Sequence, residues 1–278
     1  MAHHHLEAGP KTVAWGFFDA ALPPVLRIRS GDTVTIDTIS GEPADMPDPA
    51  LGFGIVAGHR EVHDANPVPG IGPHFLTGPI FVEGAEPGDV LEVRLLEIGL
   101  AQDWGWNLQQ PLLGTLPEDF PELRRLHIPL DVRRMTARMP WGMDLPLRPF
   151  FGAIGVAPPP AWGRLTSIIP REFGGNIDNK ELVAGATLYL PVFNKGALLS
   201  LGDGHGVQGD GEVCLTAIET ALTGKIEVHV RKDFSLKRPR AETPVTWITM
   251  GFDTDLDDAE KLALRDMIAL IGDLSGLS

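Results

Sequence analysis

Residues 26–39 read Leu-Arg-Ile-Arg-Ser-Gly-Asp-Thr-Val-Thr-Ile-Asp-Thr-Ile. From Thr33 onward the period is two: Val34, Ile36 and Thr38 share one face, and Thr33, Thr35 and Asp37 the other, as in a half-buried strand. Gly31-Asp32 supplies a turn, so the stretch predicts a hairpin. The same order of turn then strand recurs at Pro87-Gly88-Asp89 followed by 90–96, and more weakly at Gly185 followed by 186–193. Repeated turn-strand units favour a sandwich or barrel over a doubly wound sheet. The expected fold class is therefore mainly β: a β-sandwich or barrel-like core with α/β elaborations and a C-terminal helix.

Other stretches fill in this frame. Lys225, Glu227 and His229 alternate with Ile226, Val228 and Val230, which predicts a strand with the second set inward. Residues 150–157 form a small-plus-apolar run ended by Pro158 to Pro160, as in a buried strand. Residues 245–250 read as another strand. Residues 103–117, with Trp104 and Trp106, read as a surface excursion or, equally, as a pair of core tryptophans, and 123–135 as a short helix or edge strand. Residues 41–79 are too irregular to assign. Asp255 is placed to cap a helix ending at Gly272, whose Leu264, Met267, Ile268 and Ile271 would cover a sheet.

Composition narrows the function. Gly and Pro, 32 and 25 of 278 residues, set frequent turns, while 43% hydrophobic content supports a sizeable core. A formal charge of −14 opposes binding to nucleic acid or an anionic membrane. Cys214 is the only cysteine, so no intrachain disulfide forms. With no apolar signal core and no spanning stretch, a soluble cytoplasmic protein is expected. Residues 1–8, with His3, His4 and His5, read as a tag-like tail; residues 9–278 read as one domain, a single unit or two joined β-rich lobes.

Chemically capable side chains concentrate in 170–219, on two glycine-rich wings around the 186–193 strand. One wing carries Asn176, Asp178 and Lys180; the other carries Asp203, His205, Asp210 and Glu212. Spacings of i, i+2 put Asp203 with His205, and Asn176 with Asp178, on shared faces of extended backbone. Carboxylate, amide and imidazole donors suit Zn2+ or Mn2+, with Ca2+ where oxygens dominate. The competing reading is that Asp203 and Asp210 sit in Gly-Asp-Gly turns, bonding their own backbone. Among the earlier histidines His59, His63 and His74, the last is the best candidate because turns flank it on both sides. Cys214 lies in an apolar run, where a thiol is usually inert, although a nucleophile served by His205 is the alternative.

The chain resembles the acetamidase/formamidase family. The likeness runs from Gly72-Pro73-His74 through Thr77-Gly78-Pro79-Ile80-Phe81-Val82-Glu83-Gly84-Ala85-Glu86-Pro87-Gly88-Asp89 and Pro149-Phe150-Phe151-Gly152. It continues in Gly174-Gly175-Asn176-Ile177-Asp178-Asn179-Lys180-Glu181-Leu182 and the 202–219 wing. Phe173 and Gly206-Val207 depart from residues common in the family, which bears on substrate preference. The resemblance implies hydrolysis of small linear amides to a carboxylate and ammonia, on a β-rich fold, commonly in homo-oligomers and with divalent metal in at least some members.

An amide demands a polarised carbonyl, a hydroxide equivalent and a proton for nitrogen. On that reading the metal ligands are Asp203 and His205, with Asp178, Asn176 and His74 as further candidates. Glu212 or Glu86 would shuttle the proton, and Lys180 or glycine-rich backbone amides would stabilise the oxyanion. A binding protein without turnover and a Cys214-dependent amidase are the alternatives.

Overall fold

The computed structural model describes residues 1–66 and 70–276; residues 67–69, part of the unassigned 41–79 segment, and residues 277–278 lie outside the described chain. Two sheets carry it. The first runs His3–Leu6, Asp32–Asp37, Leu222–Arg231, Val90–Leu100, Thr187–Pro191, Arg240–Glu242, Trp247–Thr249. The second runs Asp144–Pro146, Thr136–Arg138, Arg124–Asp131, Trp104–Gln109, Ile218–Glu219, Ala197–Val207, Phe150–Gly155, Gly174–Asn176, with Phe75–Glu83 also paired to Ala197–Val207.

The mainly β expectation holds, and its core lies where the two sheets meet. Val34, Ile36, Ile226 and Val228 from the first sheet pack in one cluster with Leu76, Ile80, Phe151 and Leu201 from the second, all fully buried. Alternation at 225–230 places Ile226 and Val228 inward, while His229 turns outward to Glu227, Nε2 to Oε1 2.7 Å. A smaller cluster of Ile128, Leu130, Ala137, Met139, Leu147 and Ile218 forms at the far end of the second sheet.

Several expectations need correction. The strands beside Gly31 do not form a hairpin: Leu26–Arg29 runs parallel to Phe75–Glu83 in the second sheet, and Asp32–Asp37 joins the first. Asp32 accounts for the parting. Its Oδ2 accepts the Arg29 N–H at 3.0 Å and its Oδ1 the Ala2 N–H at 2.6 Å, so the turn closes on a side chain and both strands keep their ladders for other partners.

That second bond also holds the N-terminal residues, read above as a tag-like tail, against the first sheet. His3–Leu6 pairs in parallel with Asp32–Asp37, and Leu6 is buried in the main core. His4 and His5 reach Asp32 and Asp37, with Nε2 to carboxylate distances of 3.2 and 2.6 Å.

Residues 103–117 begin as the strand Trp104–Gln109, with Trp104 fully buried and its indole N–H donated to Gly54 O at 2.8 Å. Arg124–Asp131 is interior, not an edge, because it pairs on both sides. The terminal helix, Leu256–Ser275, is capped by Asp255 as expected, yet it runs past Gly272 to a left-handed Gly276. Its packed side is the small one: Gly251 meets Ala259 and Ala263 so closely that a Cβ would collide with the helix backbone. Leu264, Ile268 and Ile271 are therefore exposed and Leu270 is buried, and of the face predicted only Met267 is partly covered.

Candidate active site

The two wings meet over the strand Phe150–Gly155. Phe150 pairs with His205, and Ala153 with both Gly202 and Asn176, so this one strand brings the 174–178 and 202–205 backbones together. Gly152 is the floor. Its carbonyl accepts the N–H groups of Ile177 and Asp178, at 2.9 and 3.1 Å. A Cβ there would stand 2.7 Å from both Asp178 Oδ1 and His205 Cε1, and closer still to Asp203 Oδ2. Only glycine leaves room for three functional side chains at this point.

Asp178 and Asp203 both adopt left-handed backbone, φ 48° and 56°. Asp tolerates this conformation better than most residues, and such backbone is often concentrated at functional sites. The consequence for Asp203 is geometric, because the left turn interrupts the extended strand between Gly202 and Gly204.

His205 is the hub. Its Nε2 lies 3.3 Å from Asp203 Oδ2, 3.3 Å from Glu219 Oε2 and 3.7 Å from Glu212 Oε1, and its ring stands edge-on to Phe150 with centroids 4.8 Å apart. Glu219 arrives because Ile218–Glu219 pairs with Ala197–Val207, placing it opposite His205, and Ala217 N–H holds its Oε1 at 2.9 Å. His74 Nε2 is 3.8 Å from Asp203 Oδ2, while its Nδ1 is fixed 2.8 Å from Ser167 Oγ. The donor atoms fall into two overlapping groups, Asp178, Asp203 and His205, then His205, Glu212 and Glu219.

Four acids sharing a largely dry site cannot all hold charge comfortably. Burial, with the Asp203 charge beside it, pushes Asp178 up to about 8. Burial, Glu219 and Asp178 push Glu212 up to about 9, and burial also raises Glu219. Burial would raise Asp203 too, but His74 and His205 overcome it and hold that carboxyl well below the usual range. For His205 burial opposes the charge, and the carboxylates of Glu219 and Asp203 outweigh it, so the imidazole is driven well above its usual value.

The donor set fits a divalent cation. Asp178 Oδ1, Glu212 Oε1 and His205 Nδ1 are shut off from solvent with no hydrogen-bond partner, a costly arrangement for buried polar atoms. A cation among mixed oxygen and imidazole donors would relieve the crowding.

Not every expected residue joins. Asn176 donates its Nδ2 away from the group, to Ile168 O at 3.3 Å, while its Oδ1 is buried with no hydrogen-bond partner, like Asp178 Oδ1. Lys180 Nζ is bound to the exposed Asp210, 2.7 Å away, at the rim. Glu86 is remote: it sits beyond the Glu83 end of Phe75–Glu83, near Lys195 at 3.9 Å, whereas His74 precedes the opposite end. Cys214 is half-buried and its Sγ accepts from Asn107 Nδ2 at 3.3 Å. Phe173 is fully buried against Phe18, away from any polar role.

Glu219, Gly152 and Gln208 were not anticipated. Glu219 carries the clearest overlooked signal, an acid and a threonine interrupting the apolar residues Ala217-Ile218 and Ala221-Leu222. Gln208 donates Nε2 to Asp178 O at 2.8 Å and so pins the far wing from the side.

The chain is similar to known proteins in sequence and in fold. The model of the acetamidase/formamidase family matches residues 17–163 and 161–250. A formamidase of Methylophilus methylotrophus is 28% identical over 287 residues, covering 81% of this chain and 67% of its own length. An acetamidase of Mycolicibacterium smegmatis is 31% identical over 216 residues, 56% of this chain, which spans about half of that relative, 53%. The crystal structure of an acetamidase from Bacillus halodurans superposes with a TM-score of 0.83 at 29% identity, over 97% of this chain and 84% of that one.

Proposed function

The chain belongs to the acetamidase/formamidase family, and on that premise we propose that it is a metal-dependent amidohydrolase that converts small linear amides to a carboxylate and ammonia. The observation that carries the reading is the convergence of Asp178, Asp203, Glu212 and Glu219 on His205 above Gly152, with buried donor atoms left unpaired. A turn-only role for Asp203 does not account for that. Asp203, His205, Asp178 and Glu219 would hold the cation, Zn2+ by their mixed donors, with Ca2+ favoured where the oxygens alone are used. Such an ion, when bound, supplies Lewis acidity toward the amide carbonyl and toward water.

The chain's own groups then divide the remaining work. His74, positioned by Ser167, stands beside Asp203 to hold its carboxylate in place. Glu212 is more accessible than Glu219 and Asp203, its side chain 20% exposed against 5% and 10%, so it can carry a proton between solvent and the leaving nitrogen. Gly152, by lacking a side chain, leaves the amide a place to sit. Lys180 serves at the rim.

Among the described residues no helix is long and apolar enough to cross a membrane. We read the protein as acting in the cytoplasm. The exposed Leu264, Ile268 and Ile271 support self-association, which light scattering would measure. The deciding experiment is ammonia release from formamide, acetamide and propionamide by metal-loaded protein, before and after chelation. Release that chelator abolishes supports the reading. Release that chelator leaves intact removes the metal, and no release from any amide leaves a binding protein.

A further inference from the structure

One row of side chains crosses the second sheet through the acid cluster. Phe150 pairs with His205, His205 with Glu219, Glu219 with Trp106 and Trp106 with His127, and residues directly opposite in a ladder share a face. Trp106 is therefore the neighbour of Glu219 on the side away from His205, on the face that carries the cluster. The residues beside them in sequence, Gly105 and Ile218, meet on the opposite face, where a Cβ on Gly105 would stand 2.7 Å from Ile218 Cγ2.

The indole is fixed in place. Its N–H donates to the buried Ser40, Nε1 to Oγ 3.1 Å, and Gly41 passes so close that a Cβ there would stand 3.3 Å from the same nitrogen. Gly41 is itself held, left-handed at φ 97° and with its carbonyl accepting from His59 and His63.

The two aromatic residues that bracket the His205–Glu219 pair differ in exposure. Phe150 is fully buried and Trp106 half-buried, so of the two it is Trp106 that keeps surface for a further contact. Neighbouring strands lie ~4.8 Å apart, little more than one carbon–carbon contact of ~3.5–4.0 Å. A substrate carbonyl carbon held beside Glu219 then has room on that side for a hydrogen or a methyl before it meets the indole. A longer chain has to displace a ring tethered at its nitrogen.

We propose that Trp106 is a specificity-determining residue of the amide site, its indole receiving the acyl substituent and restricting it to one or two carbons. The proposal deepens the amidohydrolase reading above and rests on it.

The test is kcat/KM for acetamide and butyramide with the metal-loaded parent, Trp106→Leu and Trp106→Phe. The parent is expected to favour acetamide. Trp106→Leu is expected to move the butyramide-to-acetamide ratio about tenfold toward butyramide, and Trp106→Phe about threefold, with bound metal unchanged. A ring that only supports the fold would lower both substrates together, and a ratio left at the parental value overturns the proposal, as does a parent that prefers butyramide. Should Trp106→Leu fail to fold, the ratio in Trp106→Phe decides. If the parent releases ammonia from neither amide, the amidohydrolase reading fails, and calorimetric titration of butyramide into metal-loaded parent and Trp106→Leu decides the wall separately. Tighter binding by the variant supports it; equal binding, or none to either protein, overturns it.

Discussion

Glu219 Oε2 and His205 Nε2 lie 3.3 Å apart across the pairing of Ile218–Glu219 with Ala197–Val207, with Glu219 4% and His205 1% exposed. A buried acid this close to the central imidazole either holds a cation with it or fixes its orientation. Glu219→Gln is expected to lower kcat by two orders of magnitude or more and to cut bound metal well below one equivalent, read by elemental analysis. Full metal with full turnover would remove Glu219 from the site.

In the metal-stripped protein the acid cluster is a source of strain, and Asp178 shows it most directly. Its pKa is raised by burial and by Asp203 to about 8, so the folded state keeps a proton the unfolded chain gives up near pH 4. The folded form binds more protons in that window, and stability is therefore lost as pH rises from about 4 toward about 8. Asp178→Asn removes this loss: at pH 8 the stripped variant is expected to melt about 3–6 °C higher than the stripped parent while losing activity. Equal melting temperatures for the two stripped proteins would refute the crowding argument.

Gly152→Ala tests the floor. Its Cβ has no room beside Asp178 and His205, and flexible displacement of one ligand side chain is the cheapest response. Activity is expected to drop at least a hundredfold, with a stability loss of about 1–3 kcal/mol by denaturant titration. A variant with parental kinetics would mean that the three side chains do not act from this position.

How much of this was legible in sequence depended on whether the signal was local. Residues 225–230 declared a strand because period two needs no partner to be seen, and Asp255 declared a helix start because the cap lies within three residues. The 26–39 hairpin misled because the Gly31 turn is real while the pairing beyond it is tertiary, decided by Asp32 bonding Arg29 and Ala2. The C-terminal helix misled through its leucines and isoleucines, since close approach to Gly251 selected the alanine face instead. In the site, Asp203 and His205 were visible as neighbours in one wing. Glu219 was not, because only strand pairing carries it opposite His205. Glu86 stood in a familiar motif, but the long Phe75–Glu83 strand separates it from His74.

That separation gives a negative control. Glu86→Gln and Cys214→Ser are both expected to keep kcat/KM for acetamide within twofold, Glu86 because it pairs with Lys195 at a distant turn, Cys214 because its sulfur is held by Asn107. A loss of tenfold or more from either would reopen the proton shuttle or the thiol route, and iodoacetamide inactivation would distinguish them.

A separate pH dependence is expected from His59, on the helix His59–Ala65. His59 is fully buried, shares the Gly41 carbonyl with His63 at 3.1 Å each, and has an unpartnered Nδ1. Burial lowers its pKa to about 4, so between there and the unfolded value near 6.5 the unfolded chain binds the extra proton. Stability therefore falls as pH drops through that interval, and burial also lowers His63, which adds to the same slope. His59→Gln keeps a donor for Gly41 but cannot titrate. Denaturant midpoints for the parent are expected to decline from pH 7 to 4.5 by the equivalent of about 2 kcal/mol more than those of the variant. Parallel pH profiles for the two proteins would show that His59 does not contribute to the loss of stability in this interval.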